Sequence, residues 1–122
     1  MRESKLWSMF LFAGLGMVIL LGIHMFAQHM GTFLSIFGIQ IGDPLAYENV
    51  IGRASSLGWT VFYIVLLAFA LYHGLYGLRS IFIEVVPSAG NVISSVLILV
   101  GIVAFIFGVY VTWTSYALGG VL

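Results

Sequence analysis

Three long apolar runs divide this chain, from about Leu6 to Phe37, from Trp59 to Ile83 and from Val92 to Tyr116. Apolar windows longer than about 18 residues read as membrane-spanning helices, because lipid offers the backbone no hydrogen-bond partner and a helix satisfies its own N–H and C=O groups. The fold class that follows is all-α, an integral membrane protein with three transmembrane helices in one domain, residues 1–122. At 62% hydrophobic and 7% charged residues, the solvent for most of the chain is lipid. Zero formal net charge and the lack of any basic cluster exclude a nucleic-acid partner. Without cysteine there is no disulfide framework, thiolate zinc site or iron–sulfur cluster, so a metal bound here must use histidine.

Arg2-Glu3-Ser4-Lys5 could open a signal peptide, but the run behind it is too long and has no small-residue cleavage site before Gln28-His29, so it reads as a retained span. Trp7 marks its starting interface. Residues 38–58 carry Asp43, Glu48 and Arg53, and Asp43-Pro44 predicts an N-cap followed by proline at the first position of a short surface helix. Pro87-Ser88-Ala89-Gly90-Asn91 separates spans two and three with breaker chemistry. Gly101 and Gly108, seven apart in span three, read as a helix-packing seam. Arg2, Lys5 and Arg79 fall at one membrane face and Arg53 at the other, so the positive-inside rule predicts an inside N-terminus and an outside C-terminus.

An ionisable residue at membrane depth is a functional-site hypothesis. The chain has three such histidines, His24, His29 and His73. His24 and His29 are about 140° apart around their helix, so one metal does not take both. His24 lies about 25 Å along the helix from Trp7, and His73 about 9 Å before Arg79 on a helix running the other way, which separates the two in depth by roughly 10–15 Å. Single histidines at two levels suit two sites, each completed by a histidine from another helix. Haem b fits that description, since an electron-transfer porphyrin takes two axial imidazoles in an apolar wrapping. Gly77 would then clear the helix face beside His73, and Gly16 the face below His24. Arg79 could pair with haem propionates or a quinone oxygen. The bland alternatives are a His73 that only hydrogen-bonds a neighbouring helix, a His29 that is a polar boundary residue, and an Arg79 and Glu84 that snorkel at a helix end.

The strings Gly16-Met17-Val18-Ile19-Leu20-Leu21-Gly22-Ile23-His24-Met25-Phe26-Ala27-Gln28-His29 and Leu71-Tyr72-His73-Gly74-Leu75-Tyr76-Gly77 resemble helices one and two of the dihaem cytochrome b anchor of succinate:quinone oxidoreductases and fumarate reductases. The resemblance implies that His24 binds an outer haem and His73 an inner haem, with His29 the non-ligating, second-shell histidine of the first motif. The pattern His73, Gly77, Arg79, Glu84 extends it, placing Arg79, Ser80 and Glu84 near haem propionates or quinone, although the acid is usually aspartate. The chain stops after three spans, so it looks like one of two small anchors in the split arrangement, packed with the second anchor into a helical bundle. The expected partners are a flavoprotein, an iron–sulfur protein and that second anchor, which would supply the other two histidines. The expected cofactors are haem b, two per pair of anchors, and menaquinone or ubiquinone, in the cytoplasmic or inner membrane. The expected function is to pass electrons between the iron–sulfur subunit and quinone, with no dicarboxylate chemistry in this chain. The competing readings are a single-haem or haem-free quinone-binding anchor, a small transporter or proton-relay subunit, and a structural assembly helper.

Overall fold

A computed structural model describes residues 2–119. The chain forms α1 (Arg2–Ser35), α2 (Tyr47–Ala54), α3 (Leu57–Val85) and α4 (Gly90–Gly119), with a single 3-10 turn at Pro87–Ala89. The three long helices have 34, 29 and 30 residues. At about 1.5 Å per residue each exceeds the roughly 30 Å hydrocarbon core of a bilayer, so their ends protrude or the helices tilt. All three are long and apolar enough to cross a membrane.

The ends have local causes. After α1, Gly38 takes φ +77°, its N–H donates to the Ser35 carbonyl, and the N–H of Ile39 donates to Leu34. This left-handed glycine with two paired return bonds is the standard way to satisfy the last free carbonyls of a helix. The Ser56 carbonyl accepts from both the N–H and the hydroxyl of Thr60 in the first turn of α3. α3 stops before Pro87, whose ring disfavours helix in the residue ahead of it.

Asp43 does not cap α2. Its carboxylate accepts from the Leu45 N–H at 2.9 Å and its carbonyl accepts from the Ala46 N–H, a tight turn with Pro44 inside it, and the helix starts later at Tyr47. An Asp-Pro pair serves a turn as well as a cap, because both need an acceptor two residues back and a fixed φ. Asn49 and Arg53 then donate to the carbonyls of Asp43 and Pro44 and tie α2 to this turn. The turn also covers the end of α1, where a Cβ on Gly31 would meet the Gly42 carbonyl at 2.6 Å.

α3 is the middle helix: α1 packs on one side of it and α4 on another, and α1 and α4 do not pack on each other. Contacts along α1 and α3 run in opposite senses, Leu6 to Tyr72, Phe10 to His73, Gly16 to Phe69 and His24 to Tyr63, so the two are antiparallel. Between α3 and α4 the pairs are Ile83 with Gly90, Leu75 with Gly101 and Leu67 with Gly108, again antiparallel. The seam expected at Gly101 and Gly108 is therefore where α4 meets α3, leucine ends filling the space the glycines leave. The shielded positions on α1 include Leu6, Phe10, Ala13, Met17, Leu20, His24, Ala27 and Gly31, a series with alternating spacings of four and three, flanked by Gly14, Gly16, Gln28, Met30 and Leu34. That is the repeat of a left-handed helix pair.

Among the described residues only Ala13 and Thr60 are buried, while large apolar side chains such as Val18, Ile36, Val92 and Tyr110 are mostly exposed. An open layer of three helices, apolar on all sides, cannot face water on both surfaces. Such a surface suits a lipid environment.

Candidate functional site

Both span histidines lie in the α1–α3 seam, at different heights. His73 is level with Phe10 and Gly14 of α1, and its ring lies parallel to the Phe10 ring, with centroids 4.2 Å apart and an interplanar angle of 3°. Its Nδ1 is 3.1 Å from the Phe10 carbonyl oxygen. A carbonyl only accepts, so in the neutral imidazole the proton sits on Nδ1, and Nε2 keeps a lone pair for another partner. His24 sits edge-on to Tyr63 at 5.5 Å, half-buried, and its Nδ1 is buried with no hydrogen-bond partner. Tyr63 precedes His73 by ten positions on α3, which puts the two histidines about 15 Å apart along the helix. No three of His, Asp and Glu gather into a common site among the described residues. Each imidazole would be a lone ligand from this chain.

A second feature lies along α3. A groove of about 740 Å³ runs between α3 and α4, with Arg2, Glu3 and Leu6 of α1 also lining it. Its polar mouth holds Arg2, Glu3, Arg79, Asn91 and Ser94, and its floor is apolar down to Gly101 and Phe105. Arg79 joins all three long helices: its Nε donates to Ser94 Oγ at 2.8 Å, its Nη1 is 3.7 Å from Glu3 Oε2, and its guanidinium lies 5.9 Å from the centre of the Tyr76 ring. The Ser94 hydroxyl in turn donates to the Gly90 carbonyl at 2.7 Å. Tyr72, also on the groove wall, donates to the Leu6 carbonyl at 2.9 Å.

The expected site residues are thus only partly brought together. Of Arg79, Ser80 and Glu84, Arg79 alone lines the groove; Ser80 is exposed and donates back to the Tyr76 carbonyl of its own helix, and Glu84 is exposed at the end of α3. His73 and Arg79, six positions apart, face different sides of α3, because that spacing turns the helix by roughly 240° relative to a common face. His29 is exposed within this chain. Gly16 and Gly77 do not leave space for a flat ring from within the chain: their open faces are filled by Phe69 at 3.2 Å and Phe10 at 3.4 Å. The chain itself uses these glycines to bring α1 and α3 together. Of the glycines on α1 and α3, Gly22 and Gly74, beside the two histidines in sequence, meet nothing within 4 Å, as do Gly38, Gly42 and Gly52 outside those helices.

Sequence reasoning missed Phe10, Gly14, Tyr72 and Ser94. A serine pair in a span and a glycine one turn from an aromatic are weak signals in a chain with 15 glycines.

The donor chemistry of the two imidazoles is of the kind an axial haem ligand would need. His73 has the second-shell arrangement that metal-ligating histidines use, Nδ1–H on a backbone carbonyl with the other nitrogen uncommitted. His24 is a shielded imidazole whose polar edge finds no partner within the chain, and such a group is costly in an apolar seam unless something engages the ring.

The chain is similar to a curated protein named succinate dehydrogenase hydrophobic membrane anchor subunit, from Archaeoglobus fulgidus. The two are 28% identical over 116 residues, 92% of this chain and 90% of that protein. No family model matches the chain, and no solved structure matches it. Similarity over most of the length of both chains agrees with the resemblance carried by the two histidine motifs.

Proposed function

We propose that this chain is a membrane anchor subunit of a succinate dehydrogenase or fumarate reductase complex and that it binds haem b through His24 and His73. The observation that carries the reading is the pair of single imidazoles at two levels of the α1–α3 seam, each with a ring nitrogen uncommitted within the chain. The full-length similarity to a succinate dehydrogenase anchor supports the choice of complex. Each site is completed by an imidazole from a second anchor, because this chain presents one histidine at each level. A flavoprotein and an iron–sulfur protein complete the assembly, and the dicarboxylate reaction belongs to them.

Bis-imidazole haem supplies a one-electron carrier whose potential is set by ligation, burial and hydrogen bonding to the ligands. The residues of this chain prepare its surroundings. The Phe10 carbonyl fixes the His73 tautomer, and the Phe10 ring fixes the plane of the imidazole. At the groove, Arg79 holds a fixed positive charge at the membrane edge, with Ser94 and Glu3 restraining two of its nitrogens. A quinone with its carbonyl at that mouth and its tail along the apolar floor is the ligand the groove suits, since charge-assisted donors polarise a carbonyl oxygen and the floor matches an isoprenoid chain. Electrons would pass between the iron–sulfur subunit and that quinone.

The test is a haem count on the purified complex, by pyridine haemochrome against covalently or tightly bound flavin. The reading predicts two b-type haems per flavin. No haem in an intact, quinone-active complex would leave the anchor role standing and remove the role of the histidines.

A further inference from the structure

We infer that Gly14 is a positioning residue for His73: the missing side chain at Gly14, together with the Phe10 carbonyl one turn away, holds the imidazole with Nδ1 on α1 and leaves Nε2, the nitrogen further from that backbone, as the iron-binding nitrogen. This rests on the reading of His73 as an axial ligand.

A Cβ placed on Gly14 would stand 2.9 Å from Cε1 and 3.1 Å from Nδ1 of His73, but 3.9 Å from Nε2. The imidazole therefore lays its Cε1–Nδ1 edge on the bare backbone of α1, and Nε2 is the ring nitrogen furthest from it. Two further contacts restrict the ring. The Phe10 ring covers one face in parallel at 4.2 Å, and the Phe10 carbonyl accepts a hydrogen bond from Nδ1–H, with N and O 3.1 Å apart. Phe10 and Gly14 are four apart, hence neighbours on one helix face, so the carbonyl, the aromatic plate and the bare position form one cradle around His73. An alanine there meets a rigid ring rather than the end of a flexible chain, and the ring must move off the carbonyl. Gly16 and Gly77 bring the helices together by admitting phenylalanine rings, whereas Gly14 admits the ligand itself.

The consequence is chemical as well as steric. An Nδ1–H donated to a carbonyl raises the basicity of Nε2, which favours the ferric over the ferrous state. Weakening that bond raises the midpoint potential of the inner haem and loosens its retention, by an order of magnitude if Gly14 behaves as other outer-shell supports of metal ligands do, which is about tenfold or more.

The experiment uses the intact complex with Gly14→Ala, read by redox titration and by the low-spin ferric EPR signal of each b-type component, beside wild type and His73→Ala. The expected result is an upward shift in potential and an altered EPR signal for the component that His73→Ala abolishes, with the His24 component unchanged as an internal reference. Unchanged potential and EPR signal in Gly14→Ala would overturn the inference while leaving His73 as a ligand. If Gly14→Ala prevents assembly, Phe10→Leu decides: it keeps the carbonyl and removes the aromatic stop, so a changed EPR signal of the inner component supports the cradle and an unchanged one overturns it. Retention of every component in His73→Ala would instead overturn the ligand assignment on which the inference stands.

Discussion

Arg79 carries a structural load, and in the proposed anchor it would carry a functional one as well. Its Nε bond to Ser94 lies in the shielded region between α3 and α4, whereas Glu3 is mostly exposed and sits at a looser 3.7 Å. A hydrogen bond between membrane helices contributes about 0.6 kcal/mol on average and up to about 1.7, while an exposed ion pair contributes roughly 0–1. Ser94→Ala should therefore lower the thermal unfolding midpoint of the detergent-solubilised complex more than Glu3→Gln does, and it should also weaken quinone affinity by releasing the guanidinium. Equal effects of the two variants would show that the Ser94 bond does not hold the arginine. At this scale the sequence was legible where a residue was chemically out of place. A histidine or arginine in an apolar run announces itself, so His24, His73 and Arg79 could be picked out. Their partners could not, because Phe10, Gly14 and Ser94 are ordinary residues of a membrane helix and act through a carbonyl, a missing side chain and a hydroxyl. Ser80 and Glu84 shared the neighbourhood of Arg79 in sequence but not its direction on the helix.

Among the elements, the α3–α4 seam depends on the glycines of α4. A methyl group at Gly108 would run into Leu67, and at Gly101 it would meet the Leu75 Cδ1 at 2.8 Å, so each demands that a leucine end move. Overpacking of this kind costs about 1–3 kcal/mol, against up to about 1 kcal/mol returned by the better helix propensity of alanine. Gly108→Ala, the tighter of the two, should destabilise the complex in a thermal or SDS titration more than Gly101→Ala, and Gly22→Ala, which meets open space within this chain, should not reduce its stability through intrachain packing. A Gly108→Ala variant as stable as wild type would show that the helices can slide apart freely there. Element boundaries were readable from Gly38, Pro87 and the apolar runs, since each has a local steric or capping cause. The start of α2 was not, because Asp43-Pro44 satisfies a turn by the same chemistry that satisfies a cap. Nor was the repeat along α1 that packs on α3: in a helix apolar on every side, hydrophobicity marks no one face as the packed one, and only the small or polar members, Ala13, His24 and Gly31, hint at it.

For the molecule as a whole, the antiparallel order of the long helices puts Glu3 and Arg79 at one end and the turn and helix of residues 43–54 at the other. Arg2, Lys5 and Arg79 gather at the first end, so the positive-inside rule predicts that it faces the inside. The chain has no cysteine, so Ser88→Cys and Gly52→Cys are clean single probes. In sealed right-side-out vesicles a membrane-impermeant maleimide should label Gly52→Cys and spare Ser88→Cys, and the opposite pattern would invert the topology. A layer of three helices with scarcely any interior is also an incomplete bundle, which accords with an anchor that meets a second anchor and lipid on its open faces. What the sequence could indicate was the class of molecule and the histidines; what it left open was which faces of the layer remain for partners. The account stands on His24 and His73 serving as ligands at two separate levels. The most direct measurement is the reduced-minus-oxidised spectrum of the intact complex in wild type, His24→Ala and His73→Ala. Each variant should lose a different b-type component and keep the other; both components surviving in both variants would contradict the account.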